Sequence, residues 1–297
     1  MSDECSICSK RERGRMPRER STGRQLRLGS ELRKLREAAG VSSTDAGRLL
    51  GTSQAQISNI EAARVGVSPE RVRAMARNYH CTDQALVDAL ATMAAERHRG
   101  WWEEYRDALP TSLLDLAETE YHAAALRVTQ CLTVPGLLQT PEHARAVFRE
   151  FVPALKPHEV EYRVSHRIKR QQVLFRSDPT AYTAIIHEAA LRMQFGGAET
   201  VKAQLAHLSA MSEHDNITIV VIPFDGTSFP ISGHGVDYMY GPVAPLDTVQ
   251  LDNGHGGDSI DSAAQLERYR LMLDRMEGTA LGAEESRNLM HRISQAI

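Results

Sequence analysis

Long apolar runs are missing from this 297-residue sequence. No stretch reaches the roughly 18 consecutive apolar residues of a membrane-spanning helix, and the first residues are polar and charged, unlike a signal peptide. No membrane partner is expected, and the predicted location is cytoplasmic. Cysteine is scarce as well. Cys5, Cys8, Cys81 and Cys131 are too few and too scattered for a disulfide framework in a chain of this length. Cys5 and Cys8 have the spacing of half a zinc site, but no second pair of ligands accompanies them, so they read as incidental thiols and no metal is expected. The twelve histidines are dispersed rather than spaced as ligands. His187-Glu188 begins like a zinc-protease helix, yet Leu191 occupies the second histidine position. Gly254 to Asp258 and Gly233 to Gly235 are glycine-rich but lead into neither a Lys-Ser/Thr helix nor a dinucleotide fingerprint, and read as loop turns. No G-x-S-x-G elbow occurs. No catalytic set can be assembled, so the expectation is a non-enzyme without a cofactor.

The length allows about two domains at roughly 100 to 200 residues each. The net charge of −3 averages two unlike halves: residues 1–100 carry 18 Lys and Arg against 12 Asp and Glu, and the remainder carries 17 against 26. A basic first part and an acidic second part suit a nucleic-acid reader joined to a domain that stays off the phosphates.

The basic part contains Ser42 to Glu61, which reads as two short helices joined by a turn at Gly51. Ser42 or Ser43 can cap the first, whose inner face is Ala46, Leu49 and Leu50; Ser53 can cap the second, with Ile57 and Ile60 inward. The outward residues of the second are Gln54, Ala55, Gln56, Ser58 and Asn59. Gln and Asn can bond bidentately to adenine, Ser to phosphate oxygens, and Ala can touch the thymine methyl. Leu28 to about Ala39 forms a preceding helix stopped by Gly40. Ser68-Pro69 starts a fourth with Val72, Met75 and Tyr79 inward, and a fifth, which Thr82 can cap, carries Leu86, Leu90 and Met93.

Leu28, Leu32, Arg33, Arg36, Gly40, Val41, Ser42, Gly51, Ser53, Ile57, Ser58, Ile60 and Glu61 together resemble the xenobiotic-response-element (XRE) family of helix-turn-helix regulators. The resemblance implies a mainly α, five-helix, lambda-repressor-like domain over residues 26–96. It also implies DNA contacts from Ser42, Ser43, Thr44, Ser53, Gln54, Ala55, Gln56, Ser58, Asn59 and Arg64. Two positions depart from the family. Ser43 replaces the usual phosphate-contacting Gln, and Gly47 replaces a small packing Ala, lowering helix propensity by roughly 1 kcal/mol. Arg64, in the loop beyond, has two open readings, a phosphate contact or a solvated arginine.

Residues 1–25 hold almost no large apolar side chains and have arginine at positions 11, 13, 15, 18, 20 and 24, so disorder is predicted. A basic arm against DNA and an extension upstream of a start at Met16 are both compatible with that composition. After a boundary helix within 97–112, with Trp102 to Ala108 helical, an α+β domain is predicted over 113–297. Its strands are Leu126 to Val134, Tyr182 to His187, Ile217 to Pro223, Val236 to Tyr240 and Thr248 to Leu251. Its helices are Leu113 to Ala124, one beginning at Thr140-Pro141 with Ala144, Val147, Phe148 and Phe151 inward, one after Pro157, then Leu191 to Met211, Ser262 to Met276 and Ala283 to Ile297.

Val134-Pro-Gly-Leu-Leu-Gln-Thr140, Arg167 to Leu174, Glu188 to Arg192, Gln204 to Leu208, Ile222-Pro223-Phe224 and Glu285-Ser286 resemble the domain of unknown function in an actinomycete group described as antitoxin-like transcriptional regulators. That resemblance implies a role in transcription and a partner, the very small protein encoded beside such regulators. Arg163, Arg167 and Arg170 form a stripe on the helix after Pro157. It reads either as a solvated charged face or one paired with nearby acids, or as a site for an anionic effector or acidic partner. The expected protein is a homodimeric, nucleoid-associated transcription regulator that reads a near-palindromic operator with the helix at 53–62. The alternative is an antitoxin-like interaction protein that sequesters the small neighbour and only regulates its own promoter.

Overall fold

The computed structural model describes residues 21–96, 100–226, 229–230, 234–253 and 256–297. Most of the predicted basic arm, with Cys5, Cys8 and Met16, lies outside the described residues, as do Gly233, Gly254 and His255.

Five helices build the first domain: α1 (Gly23–Ala38), α2 (Ser43–Leu49), α3 (Gln54–Glu61), α4 (Pro69–Asn78) and α5 (Gln84–Ala95). Serine caps set three of the starts. Ser42, Ser53 and Ser68 accept from the backbone N–H of Asp45, Gln56 and Arg71, leaving fewer unbonded amides at each N-terminus. Two starts differ from expectation. Helix α1 begins at Gly23, inside the segment assigned to the arm, because Thr22 and Gln25 form a reciprocal capping box. Helix α5 is capped by Asp83 rather than Thr82, with the carboxylate accepting from Leu86 N–H at 2.9 Å. Gly40 and Gly51 adopt φ of +68° and +61°, the left-handed turns that end α1 and separate α2 from α3. Leu28, Leu32, Ala46, Ile57, Ile60, Val72, Met75 and Leu90 form the shared core. Leu49, expected on the inner face of α2, is exposed; Ala46 and Gly47 are that helix's buried residues.

The second domain opens with a single 3-10 turn at Trp101–Tyr105, shorter than the helix expected over Trp102 to Ala108. Then come α6 (Thr111–His122), β1 (Ala125–Gln130), α7 (Pro141–Arg149), α8 (Pro157–Arg170), β2 (Ala181–His187), α9 (Glu188–Arg192) and α10 (Ala198–Met211). The remaining elements are β3 (Ile217–Ile222), β4 (Val236–Tyr240), β5 (Thr248–Asn253), β6 (Gly256–Ile260), α11 (Ala263–Glu277) and α12 (Ala283–Ala296). The strands form one mixed sheet in the order β3-β2-β1-β4-β5-β6. β1, β2 and β3 run parallel, while β4, β5 and β6 add in antiparallel fashion beyond β1. The architecture is α+β. Strand β6 had been read as loop, since Gly-Gly-Asp-Ser carries no β-branched residue; ladder pairing with β5 decides it instead. The helix expected over Leu191 to Met211 is two helices, parted by Gly196 and Gly197 at φ +78° and +86°.

Alternation along the strands separates two cores. Leu126, Val128, Tyr182, Ala184, Ile186, Ile219 and Val221 meet α10 and α12 on one face. Ile185, Val220, Ile222, Val236, Tyr238 and Val249 meet α11 through Leu266, Leu273 and Met276 on the other. Two-sided burial explains the unbroken apolar character of Ile217–Ile222. The free edge of β3 is closed by the segment leading into α12: Val221 N–H donates to Ser286 Oγ, and Leu281 N–H donates to the Val221 carbonyl.

The domains interlock through α1. Leu246, on the connection between β4 and β5, is buried in the core of the first domain, and Val243 packs against it. Arg27 donates to the carbonyls of Pro245 and Asp247. From α6, Asp115 and Glu118 accept from the first amides of α1, Gly23 N–H at 2.7 Å and Arg24 N–H at 3.4 Å. These carboxylates sit where the helix dipole favours negative charge. Among the described residues no helix is long and apolar enough to cross a membrane.

Candidate nucleic-acid interface

Helix α3 turns Ile57 and Ile60 into the core and leaves Ser53, Gln54 and Ala55 exposed, with Gln56, Ser58 and Asn59 half-buried. Its position against α1 is set by two contacts. A Cβ added at Gly29 would lie 2.5 Å from the Glu61 carbonyl oxygen, so glycine lets the helices approach closely. Arg36 then forks onto Glu61, Nε to Oε1 at 2.6 Å and Nη2 to Oε2 at 2.9 Å, and also donates to the Val41 carbonyl. Both side chains are about nine-tenths buried, and the bond to Glu61 raises the Arg36 pKa from its ordinary value. The neighbouring Tyr79 phenol is pushed up to about 12, chiefly by burial and then by the charge of Glu61. Together these contacts hold the end of α3 while its outward face stays free.

The α2–α3 turn is equally tight. A Cβ at Gly47 would meet the Thr52 carbonyl oxygen at 2.9 Å and the Gln54 nitrogen at 3.0 Å. Read from sequence as a departure that weakens α2, Gly47 is what lets the turn pass so close.

Ser42 and Ser53 spend their hydroxyls on capping, and Ser42 Oγ also donates to Asp45 Oδ2 at 2.6 Å. Gln54 Nε2 donates to Ser58 Oγ at 3.3 Å across one turn of α3. Arg64 is exposed in the loop after α3, and Thr44 is exposed on the first turn of α2. Ser43 and Ser58, from different helices, line one shallow notch together with Arg33 of α1. Arg33 was part of the recognised pattern but not a contact candidate. In the sequence it pairs with Glu37 at i+4, as it does in the structure at 2.7 Å, and nothing local shows that α1 crosses beside Ser43. Arg48, on the outward side of α2 and paired with Asp45, was likewise missed.

Residues 27–90 match a family described as a helix-turn-helix domain, and residues 113–292 match one described as a domain of unknown function, DUF5753. The chain belongs to the DUF5753 family. No curated protein and no solved structure matches it. The helix-turn-helix match supports a DNA-binding regulator and agrees with the XRE-like pattern of Ser42 to Glu61.

In this DUF5753 protein the sequence motifs of the second domain turn inward. Gln139 Nε2 donates to the Val134 carbonyl, and Gln204 Nε2 to the Leu138 carbonyl while its Oε1 accepts from Thr140 N–H. Arg170 is buried in a bidentate pair with Glu120, 2.7 and 2.5 Å, and Arg167 donates to Gln139 Oε1 at 2.6 Å above the Phe148 ring. Arg163 is half-buried near Phe151, which is itself exposed rather than turned inward. The inner end of the stripe is thus paired with an acid, Glu120, in keeping with the reading of a charged face matched by nearby carboxylates. Beside it, His166 is lowered to about 3 by burial and then by Arg170, and His143 to about 4 by burial and then by Arg167. Among the described residues no cluster of His, Cys, Asp and Glu could hold a metal ion.

Proposed function

We propose that the protein is a homodimeric, sequence-specific transcription regulator that places α3 in the major groove. Gln54, Gln56 and Asn59 would read base edges, Ala55 would meet a thymine methyl, and Ser43, Thr44, Ser53, Ser58 and Arg64 would hold phosphates, joined by Arg33 in the notch, while Ser42, whose hydroxyl is bound to Asp45, would act only by capping α2. The observation that carries this reading is the outward face of α3: polar, free of acids until Glu61, and backed by a helix fixed through Gly29 and the Arg36–Glu61 pair. Glu61, the one acid of α3, lines the notch, where its charge is matched by Arg36. Two copies would set their α3 helices roughly 34 Å apart on a near-palindromic operator. No catalytic step is part of the reading.

Genome-wide immunoprecipitation of the bound DNA supplies the operator, and fluorescence anisotropy then compares it with random DNA. Gln56→Ala is expected to weaken operator binding by about 1 to 3 kcal/mol and leave random DNA nearly unchanged. Equal losses on both would remove Gln56 from base reading. A single peak at the protein's own promoter, with stoichiometric capture of the small neighbouring-gene protein, would instead favour the antitoxin-like role.

A further inference from the structure

Between the two domains lies a cavity of about 410 Å³, within the roughly 300 to 1,000 Å³ of small-molecule sites. Leu26 and Ser30 of α1 and Met93 of α5 line it from the DNA-binding unit; Thr119 of α6, Met239 of β4 and Gln250 of β5 line it from the second domain. Its charged neighbours are already matched within the protein. Arg27 bridges Glu31 at 2.8 Å and Asp261 at 3.3 Å, Arg24 bridges Glu96, and the Asp115 carboxyl caps Gly23 N–H. His122, also on the wall, is lowered to about 4 by burial and then by Arg24, and so is neutral near pH 7. An ionic ligand would leave one of these charges unmatched in a half-enclosed site. Apolar side chains with scattered hydroxyl and amide groups suit the opposite kind of molecule.

The geometry points to this cavity as the binding site of an uncharged, mostly apolar small molecule bearing a few hydroxyl or carbonyl groups, whose occupancy changes DNA affinity. The second clause rests on the DNA-binding reading above. Helix α1 carries the coupling because its two faces meet different things. Leu26, Arg27 and Ser30 face the cavity, while Leu28, Gly29, Leu32 and Arg36 are packed into the DNA-binding core, with Gly29 against the Glu61 carbonyl. A ligand that shifts α1 against α6 and the sheet therefore carries α3 with it, and two copies of α3 must keep their spacing to fit one operator.

The test uses the full chain and the neutral three-ring amine N-phenyl-1-naphthylamine as the probe. Its fluorescence is expected to rise saturably to one probe per chain. Ser30→Trp and Thr119→Trp, which fill the cavity from opposite walls, should each weaken binding about tenfold or more. On the unmodified chain, hydrogen exchange with the probe present should slow over 23–30 and 115–123. Unsaturable fluorescence, equal affinity in both folded variants, or protection confined elsewhere would overturn the site. If neither variant folds, exchange on the unmodified chain decides alone. The saturated probe is also expected to change affinity for sheared genomic DNA about fivefold or more, the lower end of usual coupling between sites. Unchanged affinity with the cavity occupied would overturn the coupling. A chain that binds no DNA even without probe would instead refute the DNA-binding reading and leave the cavity result standing.

Discussion

On α3 of the DNA-binding unit, Gln54, Ala55 and Ser53 stand in solvent, whereas in the second domain Gln139, Gln204, Glu120 and Arg170 are each less than 5% exposed. The same residue types serve opposite ends. On α3, amides face outward, and Gln54 Nε2 donates only as far as Ser58 Oγ one turn on, at 3.3 Å; around Val134 to Thr140, they replace the ladder bonds that an irregular segment would otherwise leave unmade inside the protein. A run of polar residues is therefore a candidate surface only where the backbone beneath it already has its own hydrogen bonds. The first domain has buried ion pairs too, Arg36–Glu61 and Arg27–Glu31, both made by arginines of α1.

The comparison breaks most sharply at the Glu120–Arg170 pair. Glu120→Gln leaves a buried guanidinium without its counter-charge and is expected to cost about 3 to 5 kcal/mol in urea denaturation, with exchange protection of α1 to α4 kept. Equal loss of protection in both domains would show that they unfold as one unit.

Acid sharpens the same contrast. His143 and His166 are buried in the second domain with their pKa values lowered to about 4 and about 3, while the only histidine in 21–96 is the exposed His80. Groups depressed in the folded state contribute stability that is present above their ordinary pKa near 6.5 and is lost as pH falls through the folded values. From pH 6.5 down to about 4 the second domain should thus lose on the order of 2 to 3 kcal/mol for each of His143 and His166. Exchange protection measured domain by domain across that range checks the sign.

Gly47→Ala tests whether close approach outweighs propensity. Alanine gains about 1 kcal/mol as a helix former, but a Cβ at 2.9 Å from the Thr52 carbonyl oxygen should more than cancel it, for a net loss of about 1 to 2 kcal/mol in thermal unfolding. A stabilised variant would mean that the turn has room to give. The smallest effect belongs to the α5 cap: Asp83→Ala should cost about 1 kcal/mol and Thr82→Ala close to nothing.

The DNA-binding unit was largely legible because its signals are local. Serine caps, left-handed glycines and the Ile57–Ile60 spacing each act within one turn of the chain. What escaped notice there was either a competing local signal, Thr22 and Asp83, or a crossing between helices, which put Arg33 beside Ser43 and Ser58. In the second domain the residue types marked most strands, but the parallel pairings that set Ala125 of β1 against Ala181 of β2, and Tyr182 of β2 against Ile217 of β3, have no local trace. Which acid the arginine stripe pairs with was hidden for the same reason. Its counter-charge, Glu120, comes from 50 residues earlier, on another helix.

The place of Leu246 has a bearing on how such a regulator can be recombined. Although it lies far along the second domain, it completes the core of the first, with Val243 beside it and Arg27 bound to the adjacent carbonyls. The DNA-reading unit is consequently not a cassette bounded by its own stretch of sequence. A chimera that exchanged only the segment up to Glu96 would pair a new core with an old plug. Substitution of the outward residues of α3, by contrast, leaves both the plug and its socket untouched.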